Sequence, residues 1–212
     1  MSEPPTVATF DFDGTLSSRD CVVPFLRRAV GTLRLSTRLM APRRRLLQAA
    51  LRRDRDTMKA QAASAAFAGR PVAEIGELGR QFAAFVEANW LRQDTLGELR
   101  AHLDRGDRVA IVSASLEPYL GPLGRSIGVD AVLCTRLEVG AGGLLTGGLL
   151  GANCRGEEKL RRIDAWLAAD GLTRTDVQLV AYGDSAGDLA MLRAANTAFW
   201  AAGRTLAEWR SP

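Results

Sequence analysis

Thr6-Val7-Ala8-Thr9-Phe10-Asp11 decides how the rest of the chain is read. Five apolar or β-branched residues run straight into an acid, with Asp13-Gly14 close behind, which is the pattern of a short buried strand that stops abruptly. Two later segments repeat the design. Arg108-Val109-Ala110-Ile111-Val112 runs into Ser113, and Val177-Gln178-Leu179-Val180-Ala181-Tyr182 runs into Gly183-Asp184. Amphipathic helical patterns lie between the later strands, over about 116–127 and 156–170, and another starts near Ala186. Strands alternating with helices predict an α/β fold with a parallel sheet. Ligands of such sheets collect at the carboxyl ends of the strands, so motifs far apart in sequence can share one site.

Residues 17–90 break the alternation with successive helical patterns and no clear strand, punctuated by Pro24, Pro42 and Pro71. They read as an inserted helical cap, which leaves 1–16 and 91–212 as the α/β core. Pro71-Val72-Ala73-Glu74-Ile75 looks like a helix opening with proline in its first turn. Asp20 could cap the first cap helix. Residues 135–150, rich in glycine between two short apolar runs, predict a small β-hairpin or flap.

Length and composition bound the function. A chain of 212 residues, 47% hydrophobic and 25% charged, can bury a core and is an ordinary globular composition. The start lacks the basic and apolar stretches of a secretory signal, and no apolar run approaches the ~20 residues that span a bilayer, so a cytoplasmic protein is expected. Cys21, Cys134 and Cys154 form no CxxC pair, which speaks for reduced thiols rather than a disulfide framework or thiolate zinc site. The single histidine, His102, is expected to decorate a helix, and chemistry that needs a histidine base is disfavoured.

Charge is unevenly spread. Residues 27–55 hold ten arginines against one acid, Asp54, so this stretch is +9 in a chain of net charge +4 and the remainder is −5. Such a patch favours anionic company. Only Lys59 and Lys159 break an otherwise all-arginine usage. A lysine is a compact point charge that enters tight sites a planar guanidinium cannot.

The chemistry gathers at the strand ends. Asp11-Phe12-Asp13-Gly14-Thr15 sets two carboxylates two residues apart before a glycine turn. In phosphoryl transfer one carboxylate can attack phosphorus, the other can protonate the leaving oxygen and later deprotonate water, and exposed turn amides can bind phosphate oxygens. Asp184 and Asp188 offer hard oxygen ligands for Mg2+. A divalent ion and an ammonium, for which Lys159 is suited, would screen the repulsion between an attacking carboxylate and a phosphate. Ser113 and the neighbouring amides, including that of Ala114, could hold the same phosphate. Each piece alone is commonplace as a turn, strand end or helix cap; the ordered set carries the signal.

Asp11-Phe12-Asp13-Gly14-Thr15-Leu16 resembles the first motif of the haloacid dehalogenase superfamily of phosphatases. Ser113-Ala114-Ser115 is similar to its second motif, Lys159 to its third, and Gly183-Asp184-Ser185-Ala186-Gly187-Asp188 to its fourth, so the resemblance spans about residues 7–200. The helical insert directly after the first motif resembles the cap of the phosphoserine phosphatase-like branch, subfamily IB. The resemblance implies a Rossmann-like core with Asp11 as nucleophile and Asp13 as general acid/base. It further implies Ser113 and Lys159 as phosphate ligands and Gly14 in the phosphate-binding turn. Asp11, Asp184 and the Asp13 backbone carbonyl would ligate the metal, with Asp188 in support. An aspartate at 13 argues for hydrolysis over dehalogenation.

Two positions depart from phosphoserine phosphatases. Their third-motif lysine falls where Arg155 stands, which leaves Lys159 and Arg155 as rivals for the cation. Asp20 stands where they carry a substrate-binding glutamate, and could bind a polar head or cap a helix. The expected substrate is a small phosphorylated molecule, phosphoserine included, or a lipid headgroup phosphate drawn by the arginine-rich cap. A phosphotransferase using the same intermediate is an alternative. A basic protein binding a membrane surface or nucleic acid is the rival from another class, nucleic acid being disfavoured because few aromatics interleave the arginines. Oligomeric state is not legible.

Overall fold

A computed structural model of the chain describes residues 3–30, 66–203 and 205–210. Lys59 and most of the arginine-rich stretch lie outside these residues. Along the described chain come β1 (Thr6–Phe10), α1 (Val22–Val30), α2 (Val72–Asn89), α3 (Gln93–Asp104), β2 (Arg108–Leu116), α4 (Glu117–Ile127) and β3 (Ala131–Thr135). Then follow β4 (Leu137–Val139), β5 (Leu145–Leu149), α5 (Glu157–Ala168), β6 (Gln178–Gly183), α6 (Leu189–Ala194), β7 (Thr197–Ala202) and β8 (Thr205–Trp209).

Among the described residues, six strands form one sheet in the order β3-β2-β1-β6-β7-β8, parallel except for the β7–β8 pair. β1 lies inside it, with Val7 opposite Arg108 on one side and Leu179 on the other. Val7, Ala8, Thr9 and Phe10 are fully buried, as a parallel strand covered on both faces requires. Phe10 stacks on its register partner Tyr182 at 4.1 Å, and Tyr182 stacks on its own partner Phe199 at 4.9 Å. Each ring pair adds about 0.5–1.5 kcal/mol beyond burial. This ladder fixes the register of three strands one residue before the acids begin.

The helical reading of the insert holds for the residues described on either side of 31–65. Val22–Val30 and Val72–Asn89 are helices, and the Asp20 carboxylate accepts the Val23 N–H at 3.1 Å, the capping contact expected of it. Where the chain leaves and rejoins the sheet, Ser17 bridges Leu91, Ser18 N–H donates to Trp90 O, and Arg92 N–H donates to Leu16 O. α2 lies against α4 so tightly that a Cβ on Gly79 would sit 2.0 Å from Pro118 O. Phe25, Phe67, Phe82 and Tyr119 pack into a buried aromatic cluster beneath these helices.

The hairpin forms as β4 against β5, antiparallel. β3, β7 and β8 were not expected; their short runs carry little periodicity of their own and are set by pairing with neighbours. His102 corrects its expectation. It is buried, not a surface decoration, with Nδ1 2.7 Å from Asp107 Oδ2 and Nε2 2.9 Å from the Tyr182 hydroxyl, so it ties α3 to β6. The three cysteines are free and buried. Burial pushes the Cys134 thiol up to about 12 and that of Cys154 to about 11, so neither is a ready thiolate. Among the described residues, no helix is long and apolar enough to cross a membrane.

Candidate active site

The carboxyl ends of β1, β2 and β6 open into a cavity of about 550 Å³. Asp11, Asp13, Gly14, Asp20, Ser113, Ala114, Arg155, Lys159, Asp184 and Asp188, all singled out from the sequence, line it.

β1 delivers Asp11, whose N–H still donates to Tyr182 O at 2.9 Å, so the acid sits at the last rung of the ladder. Beyond it the chain turns back on itself: Thr15 N–H and Ser17 N–H both donate to Phe12 O, and Gly14 adopts a left-handed φ of 90°. A Cβ at 14 would lie 2.2 Å from Asp184 Oδ2, so only glycine lets the turn approach that carboxylate. α3 holds the turn from behind, where Arg92 Nη1 donates to Gly14 O at 2.8 Å and the Thr95 hydroxyl to Thr15 O at 2.7 Å. The sequence offers no signal for Arg92 or Thr95.

α5 delivers Lys159 from the other side. Its ammonium is buried and donates to Asp11 Oδ1 and to Asp188 Oδ1, each at 2.5 Å. The other oxygen of Asp188 accepts the N–H groups of Ser185 and Asp184 and the Ser185 hydroxyl, which folds the loop after β6 around it. Gly183 is required beneath that loop, since a Cβ there would meet Asp188 Cβ at 2.6 Å. Burial works to lower the pKa of Lys159, but the charges of Asp11 and Asp188 outweigh it and hold the ammonium. The Arg155 side chain lies along Gly187 at the rim, and among the described residues its guanidinium has no hydrogen-bond partner. Of the two rivals, Lys159 is the cation that touches the carboxylates.

β2 delivers Ser113, and the register with β3 shifts between Ser113 and Leu116. Irregularities of this kind re-aim side chains. Here the buried Ser113 hydroxyl accepts the Ser115 N–H at 3.1 Å, while the Ser115 hydroxyl donates to Asp13 Oδ2 at 2.6 Å. Asp13 Oδ1 accepts the Cys21 N–H at 2.9 Å. The second-motif resemblance gives Ser115 no role; the alternation of a strand, which turns 113 and 115 to the same face, is the signal that could give it one.

Carboxylate oxygens of Asp11, Asp184 and Asp188 all lie within 4.8 Å of one another. Burial, and then the Asp188 charge, raise the Asp184 carboxyl above its ordinary range; burial also raises Asp11, against the pull of Lys159. Three carboxylates and one ammonium leave two negative charges in excess in a buried cleft. Hard oxygens carrying that surplus fit a small divalent cation. The Asp13 side chain is not one of these three and accepts from Ser115 and Cys21.

The model of haloacid dehalogenase-like hydrolases matches residues 8–193. Over 203 residues the chain is 34% identical to Protein CicA of Caulobacter vibrioides, covering 92% of this chain and 86% of that one. It is 32% identical to a phosphoserine phosphatase of Halobacterium salinarum, over 91% of this chain and 84% of that protein. A solved structure of a Bordetella pertussis protein with unknown function superposes with a TM-score of 0.71 at 26% identity, covering 92% of this chain and 89% of that one.

Proposed function

The chain belongs to the haloacid dehalogenase-like hydrolase family, and on that premise we propose that it is a magnesium-dependent phosphomonoester hydrolase working through an aspartyl phosphate on Asp11. The observation that carries the reading is the Lys159 ammonium, 2.5 Å from Asp11 Oδ1 within a cluster of three acids at the ends of adjoining parallel strands.

Asp11 attacks phosphorus through a carboxylate oxygen as the bond to the leaving oxygen breaks, and Asp13 gives that oxygen a proton. Asp13 then takes a proton from water as the water oxygen bonds to phosphorus and the acyl phosphate releases Asp11. Ser113, the Ala114 amide and the turn at Gly14 hold the phosphate oxygens, and Lys159 neutralises charge between Asp11 and the incoming phosphate. Asp11, Asp184 and the Asp13 carbonyl would hold Mg2+, with Asp188 in support because both of its oxygens are engaged by Lys159 and the loop. When bound, Mg2+ would screen the repulsion between carboxylate and phosphate.

Residues 17–90 are read as a cap on a core of 1–16 and 91–212, a division supported by the Ser17–Leu91 bridge at which both boundaries meet. From the cap, Val22, Val23 and Leu26 line the cavity. This apolar wall supports a substrate with an apolar portion beside its phosphate, such as a lipid headgroup phosphate, while the likeness to a phosphoserine phosphatase supports phosphoserine. A cytoplasmic location goes with either.

The test is inorganic phosphate release from phosphoserine, small phosphomonoesters, nucleotides and lysophospholipid phosphates, with and without Mg2+, using Asp11→Asn as the blank. Magnesium-dependent release by the parent protein alone is expected. Release that persists in Asp11→Asn, or none from any ester, would overturn the reading. Independently of turnover, Mg2+ should raise the melting temperature, and Asp184→Asn should abolish that shift.

A further inference from the structure

Among the partners of Asp13 is a chain of neutral donors that runs through Ser115 to Tyr119. The Tyr119 hydroxyl donates to Ser115 Oγ at 2.7 Å, the Ser115 hydroxyl donates to Asp13 Oδ2 at 2.6 Å, and the Cys21 N–H donates to Asp13 Oδ1 at 2.9 Å. Ser115 and Tyr119 are both fully buried. A donor on each oxygen opposes rotation about the Cβ–Cγ bond and holds the carboxyl plane. Tyr119 is itself locked between Phe25 of α1 and Phe82 of α2, with ring centroids 5.0 and 5.3 Å away.

We propose that Ser115 and Tyr119 are positioning residues for leaving-group protonation, holding the Asp13 carboxyl in the plane from which it delivers its proton to the departing oxygen. The inference rests on the phosphatase reading. Ser115 and Tyr119 bring no charge of their own to Asp13. What they supply is geometry, and geometry matters in proportion to how much the leaving oxygen needs a proton. A nitrophenolate departs with little help; an alkoxide does not. In the first step the proton passes from Asp13 to the leaving oxygen as that oxygen parts from phosphorus and Asp11 bonds to it. In the second, Asp13 regains a proton from the attacking water, which closes the cycle.

The experiment is kcat/KM, with Mg2+ present, for a series of phosphate monoesters running from p-nitrophenyl through phenyl to alkyl, on the full chain and on Ser115→Ala and Tyr119→Phe. kcat/KM reports the steps up to release of the leaving group, which isolates the protonation from the later hydrolysis. General acid–base catalysis contributes about 10²–10⁴-fold. A misplaced acid in Ser115→Ala should therefore cost roughly 10–100-fold on alkyl esters and less than about threefold on p-nitrophenyl phosphate. Tyr119→Phe, which removes one oxygen and keeps the ring in its aromatic cluster, should steepen the dependence in the same sense and by less. Equal losses across the series in both variants would mark a merely structural role and overturn the proposal. Absence of turnover in the parent protein would overturn the phosphatase reading instead, and this inference with it.

Discussion

Asp11 and Asp13 are two residues apart in one turn, yet the fold treats them in opposite ways. Asp11 is gripped by charge: an ammonium at 2.5 Å, with Asp184 and Asp188 crowding the same cleft. Asp13 has dipoles among its partners: a serine hydroxyl and a backbone amide, with a tyrosine behind. On the proposed mechanism Asp11 bears a phosphoryl unit and needs its charge managed, because burial otherwise penalises the ionised form, whereas Asp13 passes a proton and needs its direction managed, which hydrogen-bond donors supply. Adjacent positions in sequence can thus carry unlike roles because different elements reach them: α5 and the loop after β6 for one, β2 and the root of α1 for the other.

The comparison breaks most severely at the ionic side. Lys159→Ala leaves Asp11 and Asp188 buried without their shared cation, and removing one partner of a buried pair costs roughly 3–5 kcal/mol. Chemical or thermal unfolding should show that loss, alongside a fall in kcat of at least about 10²-fold; a stable, active variant would show that charge is not what holds Asp11. Smaller in stability, and sharper in location, is Gly14→Ala. Its φ of 90° and the 2.2 Å approach to Asp184 Oδ2 must both be relieved, at a strain cost of roughly 1–3 kcal/mol. Melting temperature should drop, and because the turn follows Asp13 directly and packs against Asp184, kcat/KM should fall for good and poor leaving groups alike. Arg155→Ala should do least. Its guanidinium touches neither acid, so unfolding should be unchanged and kcat/KM should fall by less than about tenfold, within the range of a single exposed contact. A loss exceeding that of Lys159→Ala would reverse the assignment of the cation.

Much of this site was legible because phosphoryl chemistry demands particular residue types directly after strand-like runs. The runs at 6–10, 108–112 and 177–182 placed Asp11, Ser113 and Asp184 at a common edge, and the rarity of lysine marked Lys159. What stayed hidden was contact between elements. His102 reads as one polar residue on a helix, and its burial depends on Tyr182, eighty residues away. Ser115 and Tyr119 are ordinary letters until the irregular end of β2 turns one toward Asp13 and α4 brings the other behind it. β7 and β8 owe their existence to pairing rather than to local preference. Arg92 and Thr95 serve through backbone carbonyls, which have no signature in sequence.

The bridge between Ser17 and Leu91 also bears on how quickly such a chain can find its fold. Val7 must pair with Arg108 across a sequence separation of 101 residues. Once Ser17 and Leu91 are joined, the path between the same two partners shortens to about 28 residues, and each halving of a loop saves about 0.6 kcal/mol of closure entropy, so the saving is roughly 1 kcal/mol. A contact made early at this neck would let the sheet assemble almost as though the insertion were a tight turn, and would leave the insertion's own length nearly free to vary without slowing the strands beneath it.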